Sequence, residues 1–328
     1  MINTSEKFLD IVSCFSFAVF RITILAKEEL HLPHYKGSAL RGVFGHALKA
    51  VVCPFKKGRM CEECSLNEKC IYASIFEIYH NDSFLKSYGI NTPPRPYIIR
   101  PPLENKQYYK RGEELVFHMV LIGEKTVMKL PYFIYAFIET GERGIGKNRG
   151  RFVIKKVESI EQDSVKKNVF SDNTLNSNFN LFSGSNFISK VSNLSHCSLN
   201  FLTPLQIRKK RKYIRHISFG IFFYYLLQRI AVLSHLYCEA DCSVLSKNDF
   251  SEFYMLANKV NTHKSSLYWQ EIKRYSSRQR QHTPLSGIAG KITFNGDINP
   301  FWPFIMLGSH IHIGRETTFG LGNYDIIT

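Results

Sequence analysis

The stretch that most limits how this chain can fold is glycine-rich and lies near its end. It reads Gly308-Ser-His-Ile-His-Ile-Gly-Arg-Glu-Thr-Thr-Phe-Gly-Leu-Gly322, after the apolar run Pro303 to Leu307 and before a strand pattern, Tyr324 to Ile327. An echo stands earlier. Gly141-Glu-Arg-Gly-Ile-Gly-Lys-Asn-Arg-Gly150 follows the apolar helical run Leu130 to Ile138 and precedes strand-like Phe152 to Ile154. Two basic glycine loops in one helix–loop–strand setting predict a duplicated unit. Gly314, Gly320 and Gly322 permit positive φ and close approach of another molecule. Arg315, Thr317 and Thr318 supply donors that suit phosphate.

The order of elements extends this duplication. Cys14 to Ile24 is β-branched and aromatic and predicts a first strand. From Ser38, a natural N-cap, a helix places Leu40, Val43, Phe44, Ala47, Leu48 and Val51 on one face. The other face carries Gly42, Gly45, His46 and Lys49, with Arg41 beside it. Each glycine costs ~1 kcal/mol in a helix interior, so the pair flanking His46 implies that something packs very close there. Ile71 to Tyr79 reads as helical, Tyr97 to Arg100 as extended, Glu114 to Ile122 as a strand and Leu130 to Thr140 as a helix. After an Asn/Ser-rich stretch the order repeats. Ser198 to Pro204 is a strand, Ile217 to Tyr237 a helix, Ser265 to Tyr275 and Ile288 to Phe294 strands, and Phe301 to Leu307 a short helix. The fold class is α+β: tandem ferredoxin-like domains with a small cysteine-cluster insert. The expected boundaries are 1–165 for the first domain, 166–197 for the linker and 198–328 for the second.

Four of the eight cysteines, Cys53, Cys61, Cys64 and Cys70, fall within eighteen residues around a central C-x2-C. That spacing predicts a structural, four-thiolate zinc knuckle at 53–70, with an iron–sulfur cluster as the other option and no open position for catalysis. Cys14, Cys197, Cys238 and Cys242 lack ligand spacing and read as core. Met1 to Asp10 is polar and charged, which predicts no export signal, and the free thiols point to the cytoplasm. Ile217 to Leu227 is apolar nearly all round, but Gln228, Arg229, Ser234 and His235 interrupt it before about 18 apolar residues accumulate. A buried core helix is expected, with no membrane partner.

Lys and Arg number 43 against 27 Asp and Glu, a net charge of +16, so a polyanionic partner is expected. Six basic residues crowd Arg208 to Arg215, and Lys273 to Arg280 repeats the theme with an aromatic inside it. A zinc-dependent DNA-binding protein is disfavoured, because no recognition-helix pattern accompanies the cysteines.

These residues resemble the CRISPR repeat-processing endoribonucleases of the RAMP superfamily. The resemblance is carried by Tyr35 to Leu48, the cysteine cluster followed by Tyr72 to Glu77, Arg274 to Gln279 ahead of Pro284 to Gly287, and Gly314 to Gly322. It implies two RNA-recognition-type domains and metal-independent cleavage of a CRISPR repeat transcript. The 2′-hydroxyl attacks its own phosphate, leaving a 2′,3′-cyclic phosphate and a 5′-hydroxyl. An alternative is a non-catalytic RAMP scaffold subunit of an effector complex, and membership of such a complex is a possible partnership in either case.

That chemistry needs a base, an acid and positive charge near the phosphate. Histidine's ordinary pKa of ~6.5 suits it to acid or base work. His46 is the expected catalytic group, with Lys49 to stabilise the phosphorane and Tyr35 to orient or donate a proton. His310 and His312 are reserves. The expected RNA contacts are Arg41, Arg208, Lys209, Lys210, Arg211, Lys212, Arg274, Arg278, Arg280, Gly314, Arg315, Thr317, Thr318, Gly320 and Gly322.

Overall fold

The computed structural model describes residues 4–55, 60–78, 83–90, 92–161, 166–176, 178–188, 194–276 and 281–327. The chain forms two compact units, Phe17–Phe182 and Ser183–Thr328 together with Met1–Ser16. Helix α1 (Thr4–Ser13) therefore belongs with the C-terminal half. Strand β1 (Ser16–Ala26) opens the N-terminal unit.

In that unit β1 is followed by helix α2 (Gly37–Val52), strands β2 (Tyr97–Arg100) and β3 (Glu114–Ile122), helix α3 (Leu130–Arg143) and strand β4 (Phe152–Ile160). The sheet order β2-β3-β1-β4 is that of a ferredoxin-like βαββαβ unit, here extended by β5 (Lys166–Ser171). Pairing is antiparallel and sets Ile22 between Phe117 and Val157. Because side chains alternate along a strand, Phe20, Ile22 and Ile24 share the buried face toward the helices. Phe44 of α2 is the hub of that core. Its ring stacks on Phe133 at 5.1 Å and on Phe137 at 5.2 Å, both from α3.

The C-terminal unit repeats the plan. Its elements are β6 (His196–Leu205), a small hairpin β7 (Arg208–Lys209) and β8 (Lys212–Tyr213), helices α4 (Phe219–Tyr237) and α5 (Lys247–Ala257), β9 (Asn261–Gln270), β10 (Gly287–Asn295), α6 (Trp302–Ile311) and β11 (Tyr324–Ile327). The sheet order is β9-β10-β6-β11, the same permutation as before. Helix α4 is long and apolar enough to cross a membrane, yet 67% of that span is buried within the protein. Phe219 meets Phe294 and Phe301 edge-on at 5.1 Å, and Phe223 meets Phe301 at 4.6 Å. It is the core helix of this unit.

Several expectations need correction. Residues 166–197 are not simply a linker, since Lys166–Ser171 pairs with β4 and Ser185–Ile188 forms a helical turn. The amphipathic α1 buries Phe8, Ile11 and Val12, and Phe8 packs edge-on against Phe250 at 5.0 Å. Its Lys7 ammonium reaches Asp249 at 2.9 Å, so residues 4–13 fold onto α5 and not into the first domain. The strand expected over 265–275 is divided: β9 ends at Gln270, and Lys273–Ser276 pairs instead with Gln281–Pro284. Ser38 does not cap α2. Lys36 holds that position, and the Ser38 hydroxyl donates to the Tyr35 carbonyl at 3.4 Å. Of the helix expected at 71–79, Ile71–Ile75 is helical, and residue 79 lies outside the described residues.

Candidate functional site

Helix α2 starts from an anchored N-terminus. Lys36 is fully buried and its ammonium donates to the Glu104 carbonyl at 2.9 Å. Burial lowers its pKa, and the Glu104 charge opposes that shift. The helix then offers two kinds of glycine. A Cβ on Gly45 would run into the Phe76 ring, whereas one on Gly42 would meet nothing within 4 Å. The close packing expected around His46 is thus supplied on one side by the chain's own Phe76. The other side, one turn back from His46, is bare.

His46 is exposed on this helix. Lys49 follows at i+3, which places both on one stretch of surface. The Lys49 ammonium sits 5.5 Å from the Tyr72 ring centroid, and the Arg41 guanidinium lies over Phe76 at 4.3 Å. Tyr35 is not part of the group. It precedes the helix, and the nine-residue rise from Gly37 to His46 is about 13–14 Å. Burial also pushes its phenol well above the ordinary range, which makes it a poor proton donor.

The cysteine segment is closed by backbone turns, with the Cys64 amide donating to the Cys61 carbonyl at 3.3 Å and Cys70 to Asn67 at 3.2 Å. Cys61 and Cys70 pack against the core. Burial raises the Cys61 pKa, Lys49 lowers it, and Glu77, Cys70 and Cys53 raise it further. The Cys61 thiol therefore feels those of Cys70 and Cys53. Even so, among the described residues no three His, Cys, Asp or Glu side chains form a metal-ligand set. As placed, Cys53, Cys61, Cys64 and Cys70 do not make the expected tetrahedral knuckle.

In the C-terminal unit the basic run Arg208 to Tyr213 is a two-stranded hairpin. Its turn residues Lys210 and Arg211 take φ of 48° and 67°, a left-handed conformation usual for Asn-Gly. Side chains with a Cβ are strained there, and the effect is to hold two cations at an exposed tip. Lys209 and Lys212 pair across the ladder, and Arg208 lies 5.7 Å from the Tyr213 ring. Arg215 stacks over Trp269 at 4.8 Å. Trp269 and Tyr213 were not among the expected contacts, although an aromatic within a basic run is a legible sign of base stacking. In the N-terminal unit His31 and exposed Tyr108 stack at 4.3 Å beside the first glycine loop, whose Lys147 amide donates to the His31 carbonyl.

The large glycine loop spends most of its residues on its own packing. The Arg315 amide donates to the Gln206 carbonyl at 2.9 Å, the Gly322 amide to Pro204 at 3.0 Å, and the Thr203 hydroxyl to Gly320 at 2.8 Å. A Cβ on Gly314 or Gly322 would meet backbone of this same chain. Thr317, Thr318, Gly320 and Gly322 are buried, while Arg315 is exposed. Arg274 lies over the Phe319 ring at 4.4 Å. Arg278 and Arg280 are outside the described residues. Of the reserve histidines, His312 is fully buried with Nδ1 3.0 Å from the Leu321 carbonyl, and His310 packs against Phe187. Buried Arg229 donates to the Ile311 and His312 carbonyls at 3.0–3.1 Å and so closes the end of α6.

Residues 15–180 match the family model AF_1859_N, described as an N-terminal domain, and residues 199–324 match the CRISPR-associated endoribonuclease Cas6 model. Among solved structures, the Partial Cas6-RT-Cas1–Cas2 complex is similar over 95% of this chain at 12% identity and a TM-score of 0.58. This chain spans about half of that one, 46%. The Thermus thermophilus Cas6 is similar over 95% of this chain and 99% of its own at 11% identity and a TM-score of 0.55, and a Cas6 product complex gives 12% and 0.55. At such identities the likeness speaks for the fold alone. No curated protein matches the chain significantly. A non-catalytic RAMP scaffold, the alternative drawn from the sequence, is set aside because the matched model is an endoribonuclease. With residues 15–180, half of its length, matched by the AF_1859_N N-terminal domain model, this chain belongs to that domain family, and its residues 199–324 are similar to the CRISPR-associated endoribonuclease Cas6 model.

Proposed function

We propose that this protein binds CRISPR repeat RNA in the cytoplasm and cleaves the precursor transcript without a metal in the reaction. The 2′-hydroxyl beside the scissile bond attacks the phosphorus, the 5′-oxygen leaves, and a 2′,3′-cyclic phosphate remains. His46 transfers the proton, and Lys49 stabilises the charge that builds on the phosphorane. The observation that carries this reading is an exposed histidine on α2 with a cation at i+3 and a bare Gly42 surface one turn away. Tyr35 is left outside the chemistry. Arg208, Lys209, Lys210, Arg211 and Lys212, with Arg315, grip the backbone, since exposed cations are what phosphate recognition needs. The likeness to the Cas6-RT-Cas1–Cas2 complex supports association with other CRISPR proteins as part of the same proposal.

The test is incubation with a repeat RNA in EDTA, followed by analysis of the product ends. Cleavage at one position with a 2′,3′-cyclic phosphate supports the reading, and activity that vanishes with EDTA while RNA stays bound refutes it. A structural zinc at Cys53, Cys61, Cys64 and Cys70 remains a separate proposal, supported by the spacing of four thiols around a central C-x2-C. Elemental analysis should find about one zinc per chain, and none would retire it.

A further inference from the structure

We propose that the C-terminal domain holds a stacking subsite for one unpaired nucleobase, built on Trp269 and Arg215. The inference rests on the reading of this protein as an RNA-binding enzyme and adds where a single base is gripped. A cleft of 460 Å³ lies between β9 and the segment that leads into α4. It is lined by Arg215 and His216, both exposed, by Ser265, Leu267 and Trp269 of β9, and by Ile292 of β10. Strand alternation puts Ser265, Leu267 and Trp269 on one side of β9, and Ser265 stands opposite Ile292 in the ladder. This size is within the roughly 300–1,000 Å³ of small-ligand pockets.

The lining matches the chemistry of a base. A nucleobase has two apolar π faces and a polar edge, so it wants a flat floor and hydrogen-bonding groups at the rim. Trp269 is the floor. The protein's other tryptophan, Trp302, is only 7% exposed, whereas Trp269 is left partly open at the edge of a sheet. Arg215 already lies 4.8 Å from its ring centroid, a cation that stacks on π faces as well as on phosphate. Ser265 and His216 offer polar groups for the edge of the base. The hairpin stands next to the cleft, with the Tyr213 ring 6.4 Å from Trp269.

The test uses full-length protein and the repeat RNA that it cleaves, made uncleavable by a 2′-deoxy substitution at the scissile position. A set of RNAs each carries one abasic nucleotide, and affinity is read by anisotropy. With wild-type protein, one abasic position should weaken binding about 5- to 150-fold, the usual worth of a base stacked on an aromatic ring. Trp269→Ala should weaken binding of intact RNA by a similar factor, and the same abasic change should then cost nothing more. Trp269→Phe, which keeps a ring, should restore most of the affinity and guards against misfolding. RNA binding should quench tryptophan emission in the wild type and not in Trp269→Ala. If RNA binds but every abasic penalty is the same in Trp269→Ala and wild type, the subsite is refuted and the enzyme reading stands. If free AMP quenches Trp269 as tightly as RNA does, the cleft is a mononucleotide site and the inference fails. If wild-type protein neither binds nor cleaves any repeat RNA, the enzyme reading itself fails and the subsite falls with it.

Discussion

Helices α2 and α4 hold the same place in their units, after the first strand of a βαββαβ fold, yet they have opposite characters. Helix α2 is amphipathic, and its outer surface presents His46 and Lys49 to solvent. Helix α4 is apolar on most sides, and its one guanidinium, Arg229, is buried against the end of α6. Burial lowers the pKa of Arg229 to about 10, so it remains charged at neutral pH. The same topology therefore supports a surface fit for chemistry in one unit and a structural clasp in the other. A fold fixes where a helix lies, and side chains decide what that helix does.

The largest expected effect tests the α2 side of this contrast. His46→Ala should slow single-turnover cleavage by 10²–10⁴-fold, the worth of a positioned proton-transfer group. Stability should change by no more than about 0.5 kcal/mol, as for an exposed residue. Full activity in this variant would remove His46 from the reaction.

Arg229→Met is the mirror experiment. It removes three hydrogen bonds and leaves buried carbonyls of Ile311 and His312 without their donor. Urea unfolding should show a loss of about 2–4 kcal/mol, because an unsatisfied buried acceptor retains its desolvation cost. An unchanged midpoint would mean that water takes over these carbonyls.

Two glycines of α2 divide the contrast more finely. Gly45→Ala drives a methyl group into the Phe76 ring and should cost about 1–3 kcal/mol, while Gly42→Ala meets open space and should gain up to about 1 kcal/mol. Thermal melting reads both. A cleavage defect in the more stable Gly42→Ala would reveal RNA lying against that bare stretch.

Acid should act on the two units in different windows. Burial, with the charges of Arg100, Arg21 and Lys166, lowers the pKa of His118 in β3 to about 4 from an ordinary 6.5. Its unfolded form takes up the proton more readily, so stability is complete above about 6.5 and is lost as pH falls toward 4. Burial pushes the Asp249 carboxyl up, but hydrogen bonds from Ser246 and Lys7 overcome this and hold it at about 2. That contribution is present above pH 4 and is lost between about 4 and 2. Hydrogen exchange of the intact chain at pH 5, corrected for intrinsic rates, should show faster opening in the N-terminal unit relative to pH 7. His118→Leu should remove the difference.

Periodicity and spacing in the sequence laid out most of both halves, though not helix α5 or the break after Gln270. The strands at 114–122 and 152–157, the helix after Ser38 and the apolar helix at 217–237 could be read because each carries its own pattern of burial, and the repeated order of elements pointed to two like units. The charge excess and the basic run at 208–215 were equally legible, since net charge needs no neighbour. Other matters depended on partners far away in the chain. Helix α1 has an apolar side, but nothing local says that Phe250 covers it. The glycines at 314 and 322 advertise close approach without naming what approaches, and the structure gives that place to the chain's own backbone at Gln206 and Ile313. The same folding buries Thr317, Thr318 and His312 and leaves Arg315 and His46 in solvent. The alternation of residues determines which face of an element turns inward. Only the tertiary structure decides what meets that face, because burial is a property of contacts between segments and not of any segment alone.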